Sequence, residues 1–459
     1  MRPAGDGPIV IVGAGPTGLG AAYAFQRAGF DDWLLYESEG CVGGLARSFR
    51  DERGFTWDLG GHVVFSRHEQ FSRLLDDLLA PSGWLVHERN AWVHLAGTWV
   101  PYPIQSNLHR LPEGLCERCL AELRARRGRG PGASVSFDDF LVGTFGETMA
   151  DLFMRPYNRK VWGCEPSEMN AAWIADRVAV PDPEQLARNV ALGRDDSAWG
   201  PNRLFRFPRA GGTGAIWQAL ARRLPAERLR LAREVVAVDT GRRVLRFADG
   251  TSQAFRALVS TMPLDRLAAA TERREWAELG ARLRRSAIHV VGIGLSGRPL
   301  AAVGDKTWMY FPDPSLPFYR VTHFSRHSPD NVPCPAAQWS LMAELSSVPG
   351  RPLAGTEAVR RTAEGLEQAG LIEGPQQVIH TWQRHVEHAY PVPTLGRDRV
   401  LRRLLQELHG AGILSRGRFG AWLYETGNMD DCFMQGLEAA AHLMTDAPEA
   451  TMALRLDLG

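Results

Sequence analysis

Three glycines, in Gly13-Ala-Gly-Pro-Thr-Gly18, follow four β-branched apolar residues, Ile9-Val-Ile-Val12. The pattern is that of a buried parallel strand running into the turn that opens a helix. Such a turn cradles a pyrophosphate: Gly13 permits the tight turn, Gly15 lets the backbone approach the phosphates, and Gly18 lets helix and strand pack closely. Glu37 ends a second apolar run, Trp33-Leu-Leu-Tyr36, about 20 residues on, where an acid meets a ribose hydroxyl. Gly60-Gly61-His62 removes two side chains ahead of an imidazole, which leaves room for a planar ring against His62 or makes an ordinary tight turn. Asn158 and Trp162 are four apart, so on a helix an amide and an indole share a face, either to hold a polar ligand or simply to pack. Tyr102 and Gln105 lie in Pro101-Tyr-Pro-Ile-Gln105, whose prolines exclude a central strand and predict a rim loop presenting both.

The elements that must carry these residues are legible in outline. A helix is expected over 18–27, ended by Gly29, and another over 71–79. A hairpin is expected in 92–101 with its turn at Ala96-Gly97. Helical patterns run from Leu111 to about Val178, with Ser136 as the cap of a helix starting at Phe137. The polar stretch 181–202 is long for a connection and reads as a mobile flap. Short strands then alternate with turns from Leu229 to Thr261, and strand-like runs at 288–294, 308–311, 318–322 and 339–344 predict an antiparallel sheet with a connecting helix in 351–371. A glycine turn after Phe419 leads into an alanine-rich helix over 432–444.

With 459 residues, 44% of them hydrophobic, the chain has ample core for two or three subdomains. A net charge of +1 gives no reason to expect nucleic acid, and the arginine-rich loop 124–132 reads as a solvated connector. Of the 53 lysines and arginines, only Lys160 and Lys306 are lysines; where arginine is so freely used, these two positions ask for a compact ammonium or are chance survivors. Cys116 and Cys119 have no partner at zinc spacing and are expected to pack in a helix, so no metal is expected. The first strand begins near residue 8 and no apolar run reaches membrane-spanning length, which predicts a soluble cytoplasmic protein without a membrane partner.

The second glycine loop, Gly40 to Ser48, resembles that of FAD-binding proteins of the amine-oxidase and sugar-mutase type. Together with WDLGGHVVFS, WVPYPIQSN, DLFMRPYNRKVW, WGPNRLFRFPRAGGTGAIW, GDKTWMYFP, PFYR, HAYPVPTL and SRGRFGAWLYETGN, it makes the chain resemble the UDP-galactopyranose mutases of eukaryotic type from the fingerprint to about residue 444. The resemblance implies an α/β fold: a Rossmann-like FAD-binding domain with an inserted helical subdomain and an antiparallel β-sheet substrate domain. The expected segments are 1–98 (FAD domain), 99–205 (helical, with the flap), 206–285 (FAD-domain return), 286–400 (sheet domain) and 401–459 (FAD-domain closing segment).

It also implies roles. Gly13, Gly15, Gly18, Glu37, Gly44, Arg47 and Ser48 would bind FAD, with Gly61, His62, Arg418 and Asn428 around its ring. Arg177 and Arg320 would clamp the substrate diphosphate with Tyr310, Tyr390 and Tyr424; Tyr102, Gln105, Asn158 and Trp162 would hold the nucleoside; Phe65, Asn202 and Trp308 would border the sugar. The implied reaction is ring contraction of a nucleotide-diphosphate sugar through a covalent adduct at flavin N5, on FAD reduced by NADPH or NADH, with no net redox change. Ile104 stands where the family commonly has an aromatic, Leu423 where a basic residue is usual, and Cys164 follows Trp162; the first weakens stacking on the base and admits another nucleotide sugar, as in a specialised bacterial pathway. A flavin amine oxidase shares the N-terminal signature but would need an aromatic cage for an amine in place of paired arginines. A homo-oligomer is left open.

Overall fold

The computed structural model describes residues 7–125, 136–174, 177–197, 199–200 and 202–453. The connector 124–132 therefore lies largely outside the described residues. Strand Ile9–Val12 is buried throughout and sits at the centre of a five-stranded parallel sheet in the order Ile413–Ser415, Ala257–Ser260, Ile9–Val12, Trp33–Tyr36, Leu229–Arg230. Stretches more than 150 residues apart are thus closed into one sheet by the hydrogen bonding of short apolar strands. Helix Pro16–Arg27 follows the first strand and packs on the last long helix, Met429–Thr445. Glycines make that approach: a Cβ on Gly436 would meet Thr17 O at 2.0 Å, and one on Gly20 would meet Phe433 O at 2.5 Å.

A seven-stranded sheet forms the second layer, ordered Val378–Pro391, Arg285–Ser296, Gln338–Ser347, Phe318–His323, Trp308–Tyr310, Ala91–Leu95, Thr98–Pro101. It is antiparallel except where Trp308–Tyr310 runs parallel to Ala91–Leu95. The hairpin of Ala91–Leu95 and Thr98–Pro101 belongs to this sheet, so a boundary at residue 98 falls inside it. A helical group comprises Glu113–Ala125, Phe137–Phe145, Arg155–Trp162 and Pro183–Leu192, of which Arg155–Trp162 packs on the seven-stranded sheet. Ser136 caps the second of these through a reciprocal bond with Asp139, and Cys116 and Cys119 are buried free thiols in the first. Among the described residues no helix is long and apolar enough to cross a membrane.

The stretch expected as a flap contains regular structure, and the rim-loop expectation changes. The stretch 181–202 holds a helix, Pro183–Leu192, whose start is fixed by Asp182 accepting the Gln185 N–H at 2.7 Å. Beyond it, Asp196 is pinned through its backbone to Asn107 at 2.7 and 2.8 Å. Pro101-Tyr-Pro-Ile-Gln105 is not a rim loop presenting Gln105: Ile104, Gln105 and Ser106 are buried, and Gln105 Nε2 donates to Ala179 O at 2.8 Å.

Candidate active site

One cleft of about 1030 Å³ runs from the first glycine turn to the seven-stranded sheet, at the upper end of the size range of small-molecule sites. At one end helix Pro16–Arg27 begins at Gly15 with no side-chain cap among the described residues, and Gly15, Pro16 and Thr17 line the cleft, so its uncapped N-terminus opens on it as an anion site requires. Gly13 has φ +100°, and a Cβ there would meet Thr261 Oγ1 at 2.0 Å; a Cβ on Gly44 would lie 3.1 Å from Gly15 Cα. The two glycine loops therefore face each other with nothing between but backbone. Gly18 lies outside the cleft lining and holds the turn shut from behind. The Glu37 carboxylate accepts from Ala14 N at 2.7 Å and Glu39 N at 2.9 Å, which fixes it beside that turn. Arg47 lines the cleft and pairs with Glu39 at 3.1 Å.

Ser48 is not part of the lining. Its hydroxyl donates to Asp58 and accepts the Gly214 N–H at 2.8 Å, and Thr213 Oγ1 donates to the same carboxylate at 2.9 Å. Burial pushes the Asp58 carboxyl up to about 7, against the pull of the Ser48 and Thr213 hydrogen bonds. A carboxyl whose folded pKa is raised contributes stability that is present below its unfolded value near 4 and lost as pH rises through about 7. Asp58→Asn is therefore expected to flatten the pH dependence of unfolding between about pH 4 and 7, by up to about 4 kcal/mol. Urea melts of wild type and variant at pH 5 and 7.5 check this; an unchanged slope would show that Asp58 is ionised throughout.

In the middle of the cleft, Gly61 N donates to Glu344 Oε1 at 3.1 Å, and a Cβ on Gly61 would strike Trp308 Nε1 at 2.7 Å and Thr322 Oγ1 at 2.9 Å. His62 follows, with Nδ1 buried and without a hydrogen-bond partner among the described residues. Burial pulls its imidazole down to about 4, with Glu344 opposing and Arg418 and Arg320 adding to the fall, so His62 is neutral at physiological pH. Phe65 and Asn428 also border the cleft.

The far wall is basic and phenolic. Arg320 grips the buried Glu344 with two bonds, Nε to Oε1 and Nη2 to Oε2, each 2.7 Å, and Tyr319 donates to the same carboxylate at 2.7 Å. Arg177 donates to Glu425 O at 2.7 Å and stacks 4.8 Å over the Tyr424 ring. Arg418 lies 5.0 Å over Tyr390 and 5.3 Å over Tyr424, and its buried Nε has no partner among the described residues. Tyr310 completes the wall; burial raises the phenols of Tyr310 and Tyr390, leaving them neutral donors.

Tyr102, Gln105, Asn158 and Trp162 stand outside the lining. Trp162 and Asn158 do share a helix face, but they meet each other, Nε1 to Oδ1 at 3.1 Å. The indole is buried edge-on against Tyr424 at 4.9 Å and Tyr390 at 5.8 Å, behind the tyrosine wall. Tyr102 backs Tyr310 at 5.3 Å, and Gln105 Oε1 is buried without a partner among the described residues. Asn202 lines the cleft and accepts from Arg89 Nη1 at 2.5 Å. Arg89 and Glu344 escape a motif reading; the available signal was an ionisable residue beside or within a run of buried apolar strand, which demands a partner.

A parallel sheet whose central strand runs into a glycine-lined helix N-terminus, opening on a mostly antiparallel sheet, defines a flavin enzyme of the amine-oxidase architecture. The chain belongs to the flavin-containing amine oxidoreductases, whose family description matches residues 16–444. Among solved structures it is 41% identical to a reduced UDP-galactopyranose mutase, covering 98% of this chain and 97% of that one at a TM-score of 0.93, and it belongs with those mutases. Cyclohexylamine oxidase from Brevibacterium oxydans shares the fold at 16% identity, with a TM-score of 0.65 over 96% of this chain and 99% of that one. Protoporphyrinogen oxidase 2 of Arabidopsis thaliana is 24% identical over 175 residues, 35% of this chain and 34% of the relative. The match to such curated relatives spans about a third of their length.

The residues fit a flavin dinucleotide: uncapped helix N–H groups and a bare glycine turn suit its pyrophosphate, and the orphaned His62 Nδ1 and Arg418 Nε suit the polar edge of its ring.

Proposed function

We propose that this protein interconverts the pyranose and furanose forms of a nucleotide-diphosphate sugar, UDP-galactose first among them, with FAD held in the reduced state. One observation carries the reading: the glycine cradle and a wall of Arg177, Arg320, Arg418, Tyr310, Tyr390 and Tyr424 line the same cleft. Three guanidinium groups beside neutral phenols suit a diphosphate, which is anionic when bound and more so when it leaves. When bound, the reduced flavin supplies the nucleophilic nitrogen for the anomeric carbon, so the chain needs no serine, cysteine or lysine nucleophile. The chain's part is positional. Gly13, Gly15, Gly44, Glu37 and Arg47 seat the cofactor, with Gly61, His62 and Asn428 against its ring. The arginines and tyrosines hold the diphosphate so that the sugar meets the ring, and they neutralise the charge of the departing group. A neutral His62 accepts or donates a hydrogen bond there without adding a charge. Tyr102 and Trp162 back this wall from behind, Trp162 carrying Asn158 with it; Phe65, Asn202 and Trp308 border the sugar.

Reduction by NADPH or NADH and a cytoplasmic setting are part of the same reading. The test is anaerobic incubation of purified protein with UDP-galactofuranose, followed by chromatography, with flavin reduced by dithionite or NADPH and with oxidised flavin as control. Interconversion confined to the reduced samples is expected. Peroxide formed from an amine in air, without isomerisation, would overturn the reading in favour of an oxidase.

A further inference from the structure

The only two lysines of the chain, Lys160 and Lys306, close on the same piece of structure. It is the hairpin of Trp308–Tyr310 with Phe318–His323, in which Tyr310 and Arg320 are cross-strand partners. At its turn, Lys160 Nζ donates to three backbone carbonyls, Phe311 O at 3.0 Å, Asp313 O at 2.8 Å and Leu316 O at 2.9 Å. Three acceptors converging on one atom use all three donors of an ammonium, and the flat fork of a guanidinium has no matching geometry. Burial draws the Lys160 ammonium down to about 8, with Asp313 opposing, which leaves it charged at neutral pH. At the open end, Lys306 Nζ sits 5.2 Å from the Trp92 ring centroid and 5.1 Å from that of Trp99, both on the neighbouring hairpin of the sheet. One lysine thus ties the hairpin to helix Arg155–Trp162, and the other ties it to the sheet edge by a cation between two indoles.

We propose that Lys160 and Lys306 are positioning residues that hold this hairpin from both ends, so that Tyr310 and Arg320 face the substrate diphosphate. The proposal rests on the mutase reading for what binds there. Helix Arg155–Trp162 also brings Tyr157 edge-on to Tyr310 at 5.6 Å, so a shift of the turn moves the phenol that the diphosphate would meet. Displacements of an ångström at a binding group are enough to weaken a grip severely.

The test compares Lys160→Arg and Lys306→Gln with wild type. KM and kcat for UDP-galactofuranose are measured with reduced flavin, and the Kd for UDP is measured by calorimetry on the oxidised holoprotein. For Lys160→Arg, KM and the UDP Kd are expected to rise together by about tenfold, with kcat within about twofold and flavin content unchanged. Lys306→Gln is expected to do the same more weakly, by about threefold, because it loses one cation–π contact on each indole. Should Lys160→Arg not fold, Lys306→Gln decides alone. Folded, flavin-loaded variants with unchanged KM and UDP affinity would overturn the proposal, as would a fall in kcat and melting temperature with KM unmoved. If wild type binds UDP but converts no sugar, the mutase reading fails while the UDP affinities still judge the lysines.

Discussion

Gly18→Ala is expected to yield protein that purifies with less than about a tenth of the wild-type flavin. A Cβ at position 18 would lie 1.8 Å from Gly13 O and 3.0 Å from Gly13 C, with Ile11 Cγ2 at 3.3 Å. The obstacle is backbone of the first turn, so no side-chain rotation relieves it; either the helix start lifts away from strand Ile9–Val12 or the turn opens. Both movements pull the uncapped N–H groups at Gly15 out of line with the anion they are placed to receive. A loss of roughly 3 kcal/mol, ordinary for strain at a special backbone position, lowers affinity about a hundredfold. Gly29→Ala is the control. Gly29 ends the same helix at φ +65° with nothing within 4 Å of a Cβ, so its substitution should cost about 1 kcal/mol of stability and leave the flavin in place. The ratio of flavin to protein absorbance after gel filtration reads both variants. A Gly18→Ala protein with stoichiometric flavin would show that the turn is not the pyrophosphate seat.

What could be read ahead of the structure was whatever is local. The glycine turn, the strand before it and the acid after it are set by near neighbours, and so is the helix of Asn158 and Trp162. The Ser136 cap is local as well, because its partner is Asp139. The helix at Pro183 carried an equally local signal, Asp182 ahead of a proline, which the polar composition of the stretch hid. Registers were not legible. Glu344 belongs to the site only because Gln338–Ser347 pairs with Phe318–His323 so that it sits opposite Arg320, and a slip of one residue would turn it to the other face. The reach of Arg89 to Asn202 spans 113 residues, a distance no motif encodes. Whether Asn158 and Trp162 face the cleft or its wall likewise depended on how the helix is rolled against Tyr390 and Tyr424.

Replacing Arg320 should cost stability and turnover for separate reasons, and a second substitution can separate them. In Arg320→Met the Glu344 carboxylate, 1% exposed, keeps only the Tyr319 hydroxyl and the Gly61 N–H. An uncompensated buried charge of this kind costs about 3–5 kcal/mol. Adding Glu344→Gln removes the charge at constant shape, so the double variant should recover most of the lost melting temperature. Turnover should not follow. On the mutase reading the cation that would face the diphosphate is still missing, and the loss of a charge-assisted grip of about 3 kcal/mol leaves kcat/KM about a hundredfold down in both variants. Glu344→Gln alone keeps the cation but should hold Arg320 less tightly, because one amide oxygen replaces two carboxylate oxygens in the fork, so its kcat/KM should fall between wild type and the two Arg320 variants. Melting temperature and kcat/KM measured on the same three preparations decide the matter. If the double variant regains turnover along with stability, Arg320 serves the fold alone, and the diphosphate must be held by Arg177 and Arg418.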